Sequence, residues 1–165
     1  MNSKLLLTLI TVGTLTLASC VTKSDIQIAD EINVRIKTSG IGGISAEAKD
    51  SGVLITAGEL NFAADSAVLV EDSIAKLDTL TEFLRGMEGR KVLFEGHTTN
   101  VGDEDSQIAL SKQRAQAVAD HFVETKALKA SMILVEGKGG TMPVGDNETE
   151  EGKARNRRVE ITVLK

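Results

Sequence analysis

Between Lys91 and Lys126 the apolar residues change their period, and a polar loop bracketed by glycines separates the two patterns. Val92 and Phe94 alternate as in a strand, whereas Ala115, Val118, Ala119 and Phe122 recur at helical spacing. Gly96 and Gly102 enclose the loop, and Ser106 is placed to cap the helix that follows. A loop between a strand end and a helix start presents backbone N–H groups in a concave position, suited to a small polar ligand. Arg114, four residues after Leu110, lies on a flank of that helix. Its guanidinium offers a planar fork to a carboxylate, and serves equally well to tie the helix to an acidic neighbour.

The remaining segments read in the same way. Val53 to Thr56 forms a strand closed by Gly58. Asp72 or Ser73 caps a helix carrying Ile74, Leu77, Leu80, Thr81 and Leu84, stopped by Gly86 and Gly89. Met132 to Glu136 is a further strand, and Val159, Ile161 and Val163 alternate with polar residues in a closing one. The stripes Ile74/Leu77/Leu84 and Ile108/Ala115/Phe122 are expected in the core. This order predicts an α+β fold with two main helices packed on one face of a mixed β-sheet. Gly137, Gly139 and Gly140 lack a Gly-Lys-Ser/Thr ending and open no helix, so they do not make a phosphate-binding loop.

The first 19 residues stand apart. Lys4 supplies a positive start, and Leu5 to Leu17 is an apolar run short for a bilayer span. It ends in Leu17-Ala18-Ser19-Cys20, which resembles a bacterial lipoprotein signal peptide. That resemblance implies a leader over 1–19 and an acylated, palmitate-bearing Cys20 that holds the chain to membrane lipid. Val21, not being Asp, fits sorting to the cell outer membrane, with the domain facing the periplasm. Residues 20–43 then form a lipidated linker or strand segment, and 44–165 the domain. Ile26, Ile28, Ile32, Val34 and Ile36 fall at even spacing, which favours partial strand structure over a bare tether.

Composition narrows the function classes. Removing Lys4 with the leader leaves 18 basic against 24 acidic residues, a net charge of −6. An acidic chain with no Trp, no Tyr and four Phe lacks both the field and the stacking platforms of a nucleic-acid binder. The same scarcity argues against stacking on sugars. His97 and His121 are the two histidines and Cys20 the one cysteine, so no ligand set at zinc spacing arises. Ser111, His97 and an Asp make a conceivable triad, but no nucleophile-elbow pattern accompanies them. The expectation is a binding module with no enzymatic activity and no cofactor, in which His97 is a structural hydrogen-bonding residue behind the loop.

Four ordered motifs carry a more specific resemblance: Phe62-x-x-Asp65-Ser66-Ala67-x-Leu69, Gly96-His97-Thr98-x-Asn100-x-Gly102, Leu110-Ser111-x-x-Arg114-Ala115, and Asn156-Arg157-Arg158-Val159-Glu160. Together they resemble the OmpA-like peptidoglycan-binding domain, the family of the peptidoglycan-associated lipoproteins, from about Gly52 to the C-terminus. The resemblance implies that Arg114 binds the free carboxylate of diaminopimelate in the wall's peptide stem and that Arg157 lies near the ligand. Asp65 and Asn100 match as polar site residues. Two positions depart: Thr99 stands where the family has an Asp for the ligand's ammonium, and Gln107 where it usually has an Asn. The implied function is a lipoprotein that binds peptidoglycan non-covalently and tethers the outer membrane to the wall. The alternative is an envelope module that kept the fold and binds a protein partner, its peptidoglycan binding weakened or lost through Thr99.

Overall fold

The computed structural model describes residues 23–58, 60–63, 66–87 and 89–165. Five strands lie in it: β1 (Ile44–Lys49), β2 (Gly52–Gly58), β3 (Val92–His97), β4 (Ile133–Gly139) and β5 (Arg158–Leu164). Among the described residues they alternate with four α-helices: α1 (Asp25–Ser39), α2 (Glu71–Arg85), α3 (Glu104–Glu124) and α4 (Glu150–Asn156). The strands make one mixed sheet in the order β1-β2-β5-β3-β4, antiparallel except for the parallel pair β3 and β4. The α+β architecture expected from the sequence is therefore present.

Strand register explains where the core sits. Val53, Val163, Val92 and Ile133 line up across the sheet, as do Ala46, Ile55, Ile161, Phe94 and Val135. These rows face the helices, and Val53, Ile55, Ile161, Val92 and Phe94 are fully buried. The alternate rows, including Glu160, Glu95 and Glu136, point to the other side. α1 lies over β1 and β2, α3 over β3 and β4, and α2 touches both helices.

Residues 25–39 form a helix, not the strand that the even spacing of Ile26 to Ile36 favoured. Ile28, Ile32 and Ile36 are separated by four and eight residues, distances that fit a period of two and a helical face alike. Ala29 completes the helical stripe, while Ile26 and Val34, the members that match only the strand pattern, are 64% and 62% exposed. Ser24 and Gln27 form a reciprocal capping box at the start, and Gly40, with φ of 71°, ends the helix. The Asn33 side chain pairs with the backbone N–H and C=O of Ala46 at 2.8 and 2.7 Å, covering edge strand β1.

Other local expectations shift by up to three residues. Asp103, not Ser106, caps α3: its carboxylate accepts from the Ser106 amide at 2.9 Å. α2 starts at Glu71 without a side-chain cap, and Ser73 instead bonds both backbone groups of Asn61. The buried stripe of α2 centres on Leu77, Leu80, Thr81 and Leu84, which leaves Ile74 37% exposed at its margin. Ile108 is half-buried near the sheet's end rather than in the centre of the core.

Paired glycines bring α3 against the sheet. Gly96 and Gly137 are register partners, and a Cβ at either would stand 1.9 Å from the Ser111 carbonyl oxygen or 2.3 Å from that of Ile108. Both contacts are with helix backbone, which cannot yield as a flexible side chain does. Gly96→Ala is therefore expected to destabilise the domain by about 3 kcal/mol through overpacking. Urea denaturation measures this directly, and an unchanged midpoint would contradict the close approach.

Candidate functional site

At the end of the sheet where β3 finishes and β5 begins lies a cavity of about 230 Å³. The segment after β2 supplies Leu60, Asn61 and Phe62, β3 supplies His97, and α3 supplies Arg114. The turn from α4 into β5 brings Arg157 and Arg158. Arg114 and Arg157, 43 positions apart in the chain, thus line one cavity, as the sequence motifs implied. The lining holds three guanidiniums and, among the described residues, no carboxylate.

Each guanidinium is placed differently. Arg114 stacks over the Phe62 ring, 5.0 Å from its centroid, and its Nε donates to the Ser66 carbonyl at 3.3 Å. Phe62 is set by a bridge to Leu69, which closes the loop beneath Arg114. Arg157 sits exposed at the end of α4. Arg158 is buried, with Nε on Glu160 at 2.7 Å and Nη2 on the Met142 carbonyl at 3.3 Å. Asn156, wholly buried, clamps the preceding loop: its side chain bonds the backbone of Val144 and Gly145 and the side chain of Asn147. The Asn of Asn156-Arg157-Arg158 is a structural anchor that sets where the two arginines emerge.

The structure does not bring every expected site residue into this cavity. Thr99, Asn100 and Gln107 line a neighbouring one of about 270 Å³, together with Glu104, Gly140 and Thr141. Gly140 lies against the backbone of Thr99 and Asn100, and the Thr98 amide donates to the Gly139 carbonyl at 2.9 Å, which fixes the loop to β4. Gln107 and Arg114 are seven residues apart on α3, or about 10 Å along its axis. Asp65 and Cys20 fall outside the described residues.

His97 departs from its expected role. It is buried, yet neither ring nitrogen makes a hydrogen bond within the described structure, and Nε2 lies 3.8 Å from the Glu160 carboxylate. Burial, reinforced by the Arg158 charge and opposed by Glu160, pushes its pKa down from the ordinary 6.5 to about 4. The ring is neutral at neutral pH. Between those two values the unfolded chain binds the proton more readily than the folded one, so stability falls as pH drops through that window. The loss attributable to His97 amounts to about 3 kcal/mol by pH 4. Urea midpoints taken from pH 7 to 4 should show this slope, and a His97→Gln variant should flatten it.

Among the described residues no group of three His, Cys, Asp or Glu is placed to hold a metal ion. No helix among them is long and apolar enough to cross a membrane.

Comparison with known proteins agrees with the architecture. The family model described as the OmpA family matches residues 61–157. The chain belongs to the OmpA family. It is 37% identical over 109 residues to the peptidoglycan-binding protein ArfA of Mycobacterium tuberculosis, a match covering 66% of this chain and 33% of that protein. It is 40% identical over 110 residues to the outer-membrane lipoprotein YfiB of Pseudomonas aeruginosa, covering 62% of this chain and 65% of the relative. The chain thus spans a third of the length of the mycobacterial protein. Among solved structures, the cell wall anchor of the T6SS from Pseudomonas aeruginosa superposes with a TM-score of 0.69 at 31% identity. That match covers 82% of this chain and 96% of the anchor.

Within this OmpA-family domain, sequence reasoning passed over three cavity residues. Phe62 was visible as a motif residue but not as the platform for Arg114. The motif gives Arg158 no role of its own, and His97 reads there as a structural hydrogen-bonding residue. A strand alternation that places Arg158 and Glu160 on the same face, opposite buried Val159, was the available signal.

Proposed function

We propose that this chain is an outer-membrane lipoprotein whose OmpA-like domain binds peptidoglycan non-covalently and so tethers the membrane to the wall. The observation that carries the reading is the convergence of Arg114 and Arg157 on one cavity lined by three guanidiniums and no described carboxylate. Such a lining suits an anionic group, and the scarcity of aromatic side chains directs it to the charged peptide stem rather than to sugars. The relatives' names, a peptidoglycan-binding protein and an outer-membrane lipoprotein, support the same assignment. The role is recognition without catalysis: Arg114 takes the free carboxylate of the stem's diamino acid, and Arg157 adds a second cation at the mouth.

Sedimentation with insoluble, purified peptidoglycan tests the reading. The mature protein in detergent is expected in the pellet, and its retention in the supernatant would favour a protein partner instead. The same assay reads position 99. An Asp there supplies an opposite charge for the diamino acid's ammonium, at an effective dielectric where a few kcal/mol of Coulomb energy is largely offset by desolvation. Glu104 already lines the cavity that Thr99 lines, which limits the gain further. Thr99→Asp is expected to tighten binding by about 1 kcal/mol, several-fold, with the advantage shrinking as salt is added. Equal binding by both forms would mean that position 99 does not face the ligand.

A further inference from the structure

The sheet has two ends, and the guanidinium cavity occupies one of them. At the other, β2, β3 and β4 begin while β1 and β5 finish. Backbone bonds join the turns there: the Leu164 amide donates to the Lys91 carbonyl at 2.9 Å, and the Lys165 amide to that of Ser51 at 3.1 Å. Arg90 ties the start of α1 to the same end. Its Nη1 meets the Asp25 carboxylate at 2.9 Å, while Nε and Nη2 donate to the carbonyls of Leu164 and Val163 at 2.6 and 2.9 Å. Arg85, in the last turn of α2, donates to the Thr125 carbonyl and so brings in the turn after α3. Charge is divided between the two ends. Lys91, Lys126, Lys129 and Lys165 are exposed beside the start of α1, and none makes an ion pair with a described residue. Asp50 and Glu124 are the exposed acids that the same turns and helix end add. Acidic residues gather instead at the starts of α2 and α3, with Glu71, Asp72, Glu104 and Asp105, toward the cavity end.

We propose that this lysine-bearing end is a docking surface for anionic phospholipid, which seats the domain on the periplasm-facing surface of the membrane and points the cavity at the wall. The proposal rests on the reading of Cys20 as acylated. Cys20 precedes Lys23 by three positions, so at about 3.6 Å per residue no more than ~11 Å separates them. That reach is comparable with the Debye length of about 8 Å at physiological salt, within which lysines feel the headgroup charge. Each lysine held there strengthens attachment by a factor of about five. The chain without its leader carries a net charge of −6, which an anionic surface repels. Division of that charge between the two ends turns repulsion into orientation, with the lysines toward the lipid and the acids away from it. Seven-residue strands at about 3.3 Å per residue then set the cavity roughly 20 Å beyond the seated end.

Amine-reactive footprinting of the mature protein on vesicles tests this. Mass spectrometry reads the modification rate of each lysine on vesicles of phosphatidylcholine alone and of phosphatidylcholine with phosphatidylglycerol. Lys37, near the far end of α1, and Lys112, in the first half of α3, are exposed and serve as the internal reference. Relative to them, Lys91, Lys126, Lys129 and Lys165 are expected to slow by about threefold or more on the anionic vesicles, and to recover as salt is added. In the double variant Lys126→Glu, Lys129→Glu, the protein should stay attached through its acyl chains while Lys91 and Lys165 lose most of their protection. Uniform rates on an acylated, attached protein, or equal protection on the neutral vesicles, would overturn the docking and leave the anchoring reading intact. An N-terminal peptide without acyl mass would overturn the anchoring reading and the proposal with it.

Discussion

Replacing Arg114 by alanine is expected to remove peptidoglycan binding below the detection limit of a sedimentation assay while the domain stays folded. The two consequences separate because Arg114 has different partners in each role. Toward the fold, among its contacts with described residues, it donates to the Ser66 carbonyl and stacks on Phe62. Such contacts are worth about 1 kcal/mol each, a loss that a domain with a continuous core under five strands withstands. Toward a carboxylate in the cavity it offers charge-assisted bonds worth about 1.5–3 kcal/mol each. Losing a bidentate pair weakens binding by two orders of magnitude or more. Arg114→Lys retains the charge without the fork and should fall between wild type and the alanine variant. Circular dichroism melting alongside the binding assay decides the matter. An alanine variant that binds normally, or one that unfolds, would return Arg114 to the role of a helix tie.

Cys20→Ser is expected to release the protein from the membrane fraction and abolish its metabolic labelling by palmitate. The expectation comes from the sequence alone: a short apolar run after Lys4 ending in Leu17-Ala18-Ser19-Cys20. A single acyl chain binds a bilayer only marginally, so stable attachment requires the several chains of a mature lipoprotein. Loss of the thiol removes all of them together, and no helix among the described residues is long and apolar enough to cross the membrane in their place. Labelling that persists in the serine variant would rule out Cys20 as the acylated residue.

The part of the fold that was legible in the sequence is the part where one period excludes the other. Val92 and Phe94, then Ala115, Val118, Ala119 and Phe122, have separations that fit a strand or a helix but not both, and β3 and α3 follow. Ile28, Ile32 and Ile36 of α1 are spaced by four and eight, which satisfies both periods, so only the packing against β1 and β2 resolves them. The Asn33 side chain that covers the edge of β1 is a tertiary contact with no local signature. In the site, the motifs pointed to Arg114 and Arg157 because guanidiniums in fixed spacing are conspicuous. Their separation from Thr99, Asn100 and Gln107 into two cavities was not legible, since it depends on how Gly140 and the end of β4 press on the loop. His97 looked structural because a histidine after a strand usually finds a partner. That it has none is a property of the neighbours that the sheet brings to it.

The central claim, that the guanidinium cavity is where the wall peptide binds, is tested most directly by a nuclear magnetic resonance titration of the ¹⁵N-labelled mature protein with a soluble diaminopimelate muropeptide. The Nε–H signals of Arg114 and Arg157 and the amides of Asn61 and Phe62 should shift together and saturate along one binding curve. Shifts confined to the opposite face of the sheet, at Leu93 and Leu134, or no shifts at all at millimolar peptide, would contradict it.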